Sequence, residues 1–313
     1  MRIRIKPAED FGIGGAVARE TRGRMLGRDG RFNVRRSGLG FFESWSAYHW
    51  LLNIGWPTFL SLLATAFVSV NVLFGALYLA CGPGALIRPA DDPMTSPFWQ
   101  AFFFSVETLG TIGYGHVSPR GLPANALVAA ESFVSLVGFA LVAGIAFARF
   151  ARPVAKIRFS DVALIAPYQG ITAFMFRIAN IRSNELLEVR PRVSLSRRRM
   201  NGGSTEREFH ELALERDNVV FFPLSWTIVH PIDEASPLNG VTAEQLKASD
   251  AEFMIYLTAL DETFSQIVHA RASYRADEVV FGARFRNIID REDETGMVRV
   301  DVRRIGAFDM TPD

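Results

Sequence analysis

Residues 111–115 read Thr-Ile-Gly-Tyr-Gly, and their backbone is the part of the sequence best suited to chemistry. Glycine adopts backbone conformations that are closed to other residues, so successive carbonyls in such a segment can point the same way. The segment lies between two long apolar runs, where polar backbone survives only if it is buried in protein or lines water. We therefore expect this backbone to act as a ligand inside a membrane.

Rings of carbonyl oxygens replace the water around a dehydrated potassium ion. One chain supplies only a quarter of a fourfold ring, so this chemistry predicts a homotetramer. Thr111 would add a ring of hydroxyls at the inner end, and no cofactor or metal other than the permeant K⁺ is expected. The predicted K⁺-binding residues of the selectivity filter are Thr111, Ile112, Gly113, Tyr114 and Gly115.

Apolar runs on both sides of the filter predict membrane spans. Residues 58–80 are almost wholly apolar, and a helix of this length reaches about 34 Å at ~1.5 Å per residue, beyond the ~30 Å hydrocarbon layer. A second candidate span covers residues 122–150. Residues 98–109 predict a pore helix that is too short to span, so the chain must enter and leave the membrane on the same side there.

The charges that flank the spans predict the orientation. Lysine and arginine cluster before the first span and after the second, whereas the loop between the spans offers Arg88 and Arg120 with Asp91 and Asp92. This bias puts both chain ends in the cytoplasm. Ahead of the first span, Phe41, Trp45, Tyr48 and Leu52 recur at helical spacing and predict an interfacial slide helix, with a ragged aromatic belt of the span as the alternative.

From residue 153 onward, apolar and polar residues alternate with a period of two. Half-buried antiparallel strands give this pattern, and six or more of them between turns predict a β-sandwich. The sequence thus divides into an N-terminal segment (1–40), a slide-helix and pore domain (41–152) and a cytoplasmic β-sandwich domain (153–313). The predicted strands are 172–182, 190–198, 208–214, 252–259, 266–274 and 297–303, with a short helix at 243–247.

Composition excludes several other classes of protein. The chain has 313 residues, is 49% hydrophobic and carries a formal net charge of +1, which fits a protein that is part membrane and part soluble and gives no reason to expect nucleic acid. The single Cys81 excludes a disulfide framework, and the five histidines show no metal-ligand spacing. No set of nucleophile, base and orienting acid is legible, so we do not expect an enzyme.

The order of span, aromatic pore helix, Thr-Ile-Gly-Tyr-Gly and span resembles the potassium-channel signature. Residues 29–36 (DGRFNVRR), 147–153 (FARFARP) and 230–238 (HPIDEASPL) resemble the bacterial branch of the inward-rectifier potassium channels. The resemblance implies a tetramer with two spans per subunit, in the bacterial inner membrane. It also implies an immunoglobulin-like cytoplasmic domain that extends the pore and controls its gate.

The resemblance assigns roles to single residues around the filter and gate. Glu107 matches an acidic pore-helix residue that supports the filter. In animal members this acid pairs with an arginine two positions after the last filter glycine, but Val117 occupies that position here. Independently of the resemblance, Glu131 is a costly charge in the second span and should face protein or water, where we expect it to brace the pore helix, with ion binding as the alternative. Phe147 matches the bulky residue at the bundle crossing, where four rings can close the pore by excluding water.

One face of the second span is expected to line the pore. Ser135, Phe139, Ala143 and Phe147 recur every four residues along it. Phe139 stands where strong rectifiers carry an acidic or polar residue that holds polyamines, so strong block is not expected at that position.

Glycines and cations near the gate complete the candidate sites. Gly138 and Gly144 are hinge candidates, with close helix packing as the alternative. The cations on the cytoplasmic side are candidates for lipid binding, but the ordinary preference of lysine and arginine for that side of a membrane would also explain their position. The residues expected to meet anionic lipid headgroups are Arg35, Arg36, Arg149, Arg152 and Lys156.

Two other functions stay open at this point. A membrane-anchored ligand sensor, whose β-sandwich binds a cytoplasmic partner without ion conduction, explains the soluble half but leaves the pore loop unexplained. A channel gated by a nucleotide-sensing Rossmann domain is the second alternative, and the alternating strands and missing strand-glycine-helix fingerprint argue against it.

Overall fold

The computed structural model describes residues 23–33, 38, 46–89, 96–152, 155–182, 184–201, 204–222, 224–290 and 299–311. The chain forms two compact units: the pore unit, Gly38–Arg152, and the β unit, Pro153–Asp313 together with Met1–Ser37. Four residues with predicted roles, Arg35, Arg36, Phe41 and Trp45, lie outside the described residues.

The pore unit is mainly helical in the part that the structure describes. Its helices are α1 (Ala47–Asn53), α2 (Trp56–Ala80), α3 (Pro97–Leu109) and α4 (Gly121–Phe150). Helices α2 and α4 are long and apolar enough to cross a membrane, which confirms the predicted spans, and α3 is the predicted short helix between them. Proline occupies the first turn of α2 and of α3, where its missing N–H costs no helical hydrogen bond.

The β unit is a sandwich of two five-stranded sheets. One sheet has the order β11-β10-β6-β7 with β8 also on β6, and the other has the order β12-β4-β5-β3 with β9 also on β5. The strands of this unit are β3 (Ile157–Phe159), β4 (Ala163–Tyr168), β5 (Ile171–Asn180), β6 (Leu186–Asn201), β7 (Ser204–Leu212), β8 (Val219–Phe222), β9 (Ser225–Pro231), β10 (Glu252–Asp261), β11 (Gln266–Arg275), β12 (Val279–Phe281), β13 (Ala283–Phe285), β14 (Ile289–Asp290), β15 (Arg299–Val300) and β16 (Phe308–Met310).

Alternate side chains of both sheets fill the core, which confirms the predicted β-sandwich. Phe174 of β5 stacks on Phe253 of β10, with ring centroids 4.2 Å apart and planes 12° from parallel. Strand β5 differs from the half-buried expectation because its other face is buried too. There Ala173 and Met175 pack in a second apolar cluster with Ala283 of β13, so the carboxyl-terminal strands cover the back of this sheet.

The strand predicted at 297–303 is shorter than expected within the described residues 299–311. Strand β15 ends at Val300, and Val302–Arg304 form a 3₁₀ helix instead. Asp301 caps this turn, since its carboxylate accepts a hydrogen bond from the Arg303 N–H at 3.1 Å. A local bond of this kind competes with sheet pairing, which a two-residue alternation pattern does not reveal.

An amino-terminal segment forms part of the β unit. The backbone N–H groups of Met25 and Leu26 donate to the two carboxylate oxygens of Glu252 at 2.8 and 2.9 Å. Glu252 is only 2% exposed, so these two donors offset the cost of burying its charge. The segment turns back at Gly30 (φ 76°), where a Cβ would lie 2.8 Å from the Arg271 carbonyl oxygen.

His230 is buried in the β unit between two polar groups. Its Nδ1 lies 2.5 Å from the Ala213 carbonyl oxygen and its Nε2 lies 2.8 Å from Ser236 Oγ. Burial lowers the pKa of His230, so the folded state disfavours the protonated ring. The unfolded chain therefore binds more protons as the pH falls through the ordinary value of about 6.5, and stability is lost in that direction.

We expect His230→Gln to flatten this pH dependence. Its amide can donate to Ala213 and accept from Ser236 without titrating, so the variant loses about 1–3 kcal/mol at neutral pH but less than the parent between about pH 7 and pH 5. Pulse proteolysis in urea of the detergent-solubilised chain, with cleavage of the β unit followed, measures the free energy of unfolding of the parent and of the variant at pH 7 and at pH 5. A parent protein whose β unit is equally stable at both pH values would contradict the assignment.

Candidate ion-conduction site

The chain passes directly from the carboxyl end of α3 into residues 111–115. The Ile112 N–H donates to the Glu107 carbonyl oxygen at 2.8 Å. Backbone φ is positive at Thr111, Gly113 and Gly115 (55°, 60° and 81°), and at neither of the two residues between them. Because the sign of φ alternates, successive carbonyls can face one side. Thr111 is β-branched and strained at positive φ, a feature that clusters at functional sites.

Residues 111–115, the predicted filter, are open on one side within one copy of the chain. Tyr114 is 75% exposed and Ile112 is 50% exposed, although both lie between apolar membrane helices. Beyond its carboxyl end the segment is fastened where β1 (Leu86–Ile87) pairs with β2 (Ser118–Pro119) and the Arg120 N–H donates to the Ala85 carbonyl oxygen at 2.7 Å.

Glu107 has a neighbour that the sequence did not identify. His116 Nε2 lies 3.5 Å from Glu107 Oε1, with the Glu107 side chain 12% exposed and that of His116 49% exposed. Val117, the position at which the resemblance leads one to expect an arginine in animal members, is buried and only 7% exposed. The side chain that contacts Glu107 is thus that of His116, one residue before Val117.

A fully buried polar cluster joins α2, α3 and α4. The Tyr78 hydroxyl donates to Glu131 Oε2 at 2.6 Å, and Ser105 Oγ hydrogen-bonds to Glu131 Oε1. Ser105 Oγ also lies 2.9 Å from Asn71 Oδ1, while Asn71 Nδ2 donates to the Phe67 carbonyl oxygen at 2.7 Å. The structure therefore places Glu131 against the pore helix.

Proton counting in this cluster favours a proton on Glu131. Ser105 has one hydroxyl hydrogen but faces two acceptors, Asn71 Oδ1 and Glu131 Oε1. A protonated Glu131 would donate to Ser105 Oγ, which leaves the serine proton for Asn71 and the second carboxyl oxygen for Tyr78. Every member of the cluster is then satisfied.

Sequence patterns did not identify the close approach of α2 to α3. A Cβ on Gly75 would lie 3.2 Å from the backbone of Phe102, so a glycine lets the two helices approach at this level. Asn71, a polar side chain inside an apolar span, was the one available sign that α2 has a polar partner.

The predicted lining residues of α4 behave in two ways. Ser135 Oγ donates to the Leu109 carbonyl oxygen at 2.5 Å and so contacts the end of the pore helix. Phe139 and Phe147 are 77% and 75% exposed, and Ala143 between them is exposed as well. A Cβ on Gly138 or on Gly144 would meet no described atom within 4 Å, so packing within one subunit does not require glycine at either position.

Cations at the end of α4 hold α1 in place. The Arg149 guanidinium donates to the carbonyl oxygens of Leu51 and Ile54, the latter at 2.7 Å. It also lies over the rings of Trp56 and Phe59, 4.7 and 4.6 Å from their centroids. Arg152 Nη1 donates to Asn53 Oδ1 at 2.9 Å. Lys156, in the β unit, is exposed.

Two membrane-spanning helices with a short helix between them, which ends in a glycine-containing backbone loop, define a pore-loop ion channel. Comparison with known proteins narrows this class. The model of the inward rectifier potassium channel C-terminal domain matches residues 157–311, and an ion channel model matches residues 57–153.

Relatives are found in bacteria and animals. The chain is 39% identical to the inward rectifier potassium channel Kirbac3.1 of Paramagnetospirillum magnetotacticum, over 85% of this chain and 89% of that protein. It is 29% identical to inward rectifier potassium channel 18 of Homo sapiens, over 93% of this chain and 72% of that protein. The chain belongs to the inward rectifier potassium channel family. The protein is therefore a potassium channel of the membrane, and its family is not enzymatic.

We expect Glu131→Gln to be well tolerated and Glu131→Leu to be damaging. Glutamine keeps a donor for Ser105 and an acceptor for Tyr78, whereas leucine leaves the buried Tyr78 hydroxyl without its acceptor, at about 1–3 kcal/mol, and removes the donor to Ser105. Thermal inactivation of the purified channel in detergent, followed by size-exclusion chromatography, measures the difference, with Tyr78→Phe as a single-bond control. Equal loss in the glutamine and leucine variants would contradict a protonated Glu131.

Proposed function

We propose that four copies of the chain surround a pore in which the backbone carbonyls of Thr111, Ile112, Gly113, Tyr114 and Gly115 replace the hydration shell of K⁺. The alternation of positive φ at 111, 113 and 115 carries this proposal, since it lets carbonyls of consecutive residues face one axis. The ion moves passively down its gradient, and discrimination against Na⁺ comes from the filter.

The exposure of the filter supports a homotetramer. Polar backbone at membrane depth must be buried in protein or line water. Within one subunit Tyr114 and Ile112 remain largely exposed, so the subunit alone does not shield this segment. Four copies around an axis would shield it from lipid and complete the rings of oxygens.

Contacts behind the filter support its backbone from two sides. Glu107 lies against His116 at the outer end, and its carbonyl holds the Ile112 N–H. Glu131 holds the pore helix through Ser105. Both acids support the filter in this proposal, and neither binds the ion.

The gate is proposed at Phe147, on the exposed face of α4 that also carries Ala143 and Phe139. Four phenylalanine rings at one level can exclude water from a narrow pore. Gly138 and Gly144 meet no described neighbour with an added Cβ, which leaves them free to serve as hinges in α4 or to pack against another subunit. Movements of the β unit would open and close this gate.

Both chain ends are proposed to lie in the cytoplasm, with the channel in the bacterial inner membrane. The arginine and lysine bias at the ends of the spans supports this orientation. Among the cations proposed to meet anionic lipid, Lys156 is exposed. Arg149 is bound to α1 and two aromatic rings, so a lipid would meet it as part of that assembly.

We expect Gly113→Ala to abolish discrimination between K⁺ and Na⁺. Alanine is strained at φ 60°, so the backbone must leave the conformation that aligns the carbonyls. Flux of each ion through purified protein in liposomes, with and without anionic lipid, measures the ratio. Gly144→Ala, a matched change within a helix, should keep it. Parent protein that passes Na⁺ as readily as K⁺ would refute the filter.

At the gate, Phe147→Ala should raise K⁺ flux about tenfold or more while the K⁺ to Na⁺ ratio stays constant. Removing four rings from the constriction lets water remain in the closed pore, which lowers the barrier to the ion. The control variant Phe147→Leu keeps a bulky apolar side chain, so its K⁺ flux should stay as low as that of the parent. If alanine leaves the flux unchanged, the constriction lies elsewhere.

A further inference from the structure

Val117 is a buried residue just beyond the carboxyl end of residues 111–115. It is 7% exposed and belongs to an apolar cluster with Phe74 and Tyr78 of α2 and Ala101 and Phe104 of α3. Those four residues are themselves buried, so Val117 is held among side chains from both helices.

The chain around Val117 connects this cluster to the filter. Gly115, the last filter residue, is two positions earlier, and Ser118, the first residue of β2, follows directly. Pairing of β2 with β1 holds the far side of the segment. Val117 is therefore the first buried side chain that follows residues 111–115 along the chain, since His116 is exposed.

We propose that Val117 is a positioning residue of the selectivity filter, which fastens the outer end of residues 111–115 to α2 and α3 by apolar contact. This inference rests on the filter proposed above. The surroundings of Val117 fit an apolar group: they consist of aromatic and aliphatic side chains, in which an arginine would be a buried charge. His116 faces Glu107 in its place.

The contact determines how firmly the carbonyls at the outer end are held. Gly113 and Gly115 contribute no side chain that could anchor the segment, and Ile112 and Tyr114 are exposed within the subunit. A displacement at Val117 is thus transmitted to the filter backbone through only two peptide units. Loosening this end should weaken ion discrimination before it prevents conduction.

Val117→Thr tests the proposal with almost no change of shape. The hydroxyl enters an apolar cluster without a partner and favours withdrawal of the segment. We expect the K⁺ to Na⁺ flux ratio in liposomes to fall about threefold or more, while Val117→Ile keeps the parent ratio. Val70→Thr is the matched control, because Val70 packs against the same cluster but lies on α2, away from the filter segment.

A purely structural role would lower the thermal stability of both threonine variants and leave both flux ratios unchanged. The proposal is overturned if Val117→Thr keeps the parent ratio, or if Val70→Thr lowers it equally. If Val117→Thr does not assemble, Val117→Ala takes its place with the same readout and the same two outcomes. Parent protein without ion discrimination would instead overturn the filter assignment, so the two failures are distinguishable.

Discussion

A carboxyl group without exposed surface lies among the helices of the pore unit, and the position of the pore helix depends on satisfying it. Glu131 on α4 contacts Tyr78 of α2 and Ser105 of α3, so one side chain connects all three helices. A charge at this depth is costly, and a buried hydroxyl or amide without a partner costs about 1–3 kcal/mol. The helices cannot shift without leaving one of these groups unsatisfied.

The need to satisfy polar groups at membrane depth also applies to the proposed filter, but there the groups must be left without partners from the protein. There the polar groups are backbone carbonyls, and their partner in the proposed function is the ion itself. A filter must keep its carbonyls available while its own backbone stays in place, so its support has to come from behind. The polar cluster at Glu131 holds the pore helix α3. The apolar cluster that includes Val117 lies beyond the carboxyl end of residues 111–115. Neither cluster uses the carbonyls that the ion requires.

Sequence patterns predicted the elements better than they predicted the contacts between them. Residues 58–80 and 122–150 became α2 and α4 with boundaries within two residues, because twenty or more apolar residues have few alternatives to a spanning helix. The alternation of apolar and polar residues predicted the β-sandwich equally well. The neighbour of Glu107 was not, since His116 reaches it only after the chain has passed through residues whose positive φ no propensity scale describes. The partners of Glu131 come from two other helices, which approach each other closely at Gly75.

The connection between the two units follows from the order of the chain. Residues 23–33 are held in the β unit by the Glu252 carboxylate and precede α1, while the end of α4 leads back into β3. The β unit is therefore joined covalently to the pore unit through both α1 and α4. Within the pore unit, Arg149 and Arg152 bind these two helices to each other. Phe147 lies two residues before Arg149, so the proposed gate is at the end of α4 from which the chain continues into the β unit.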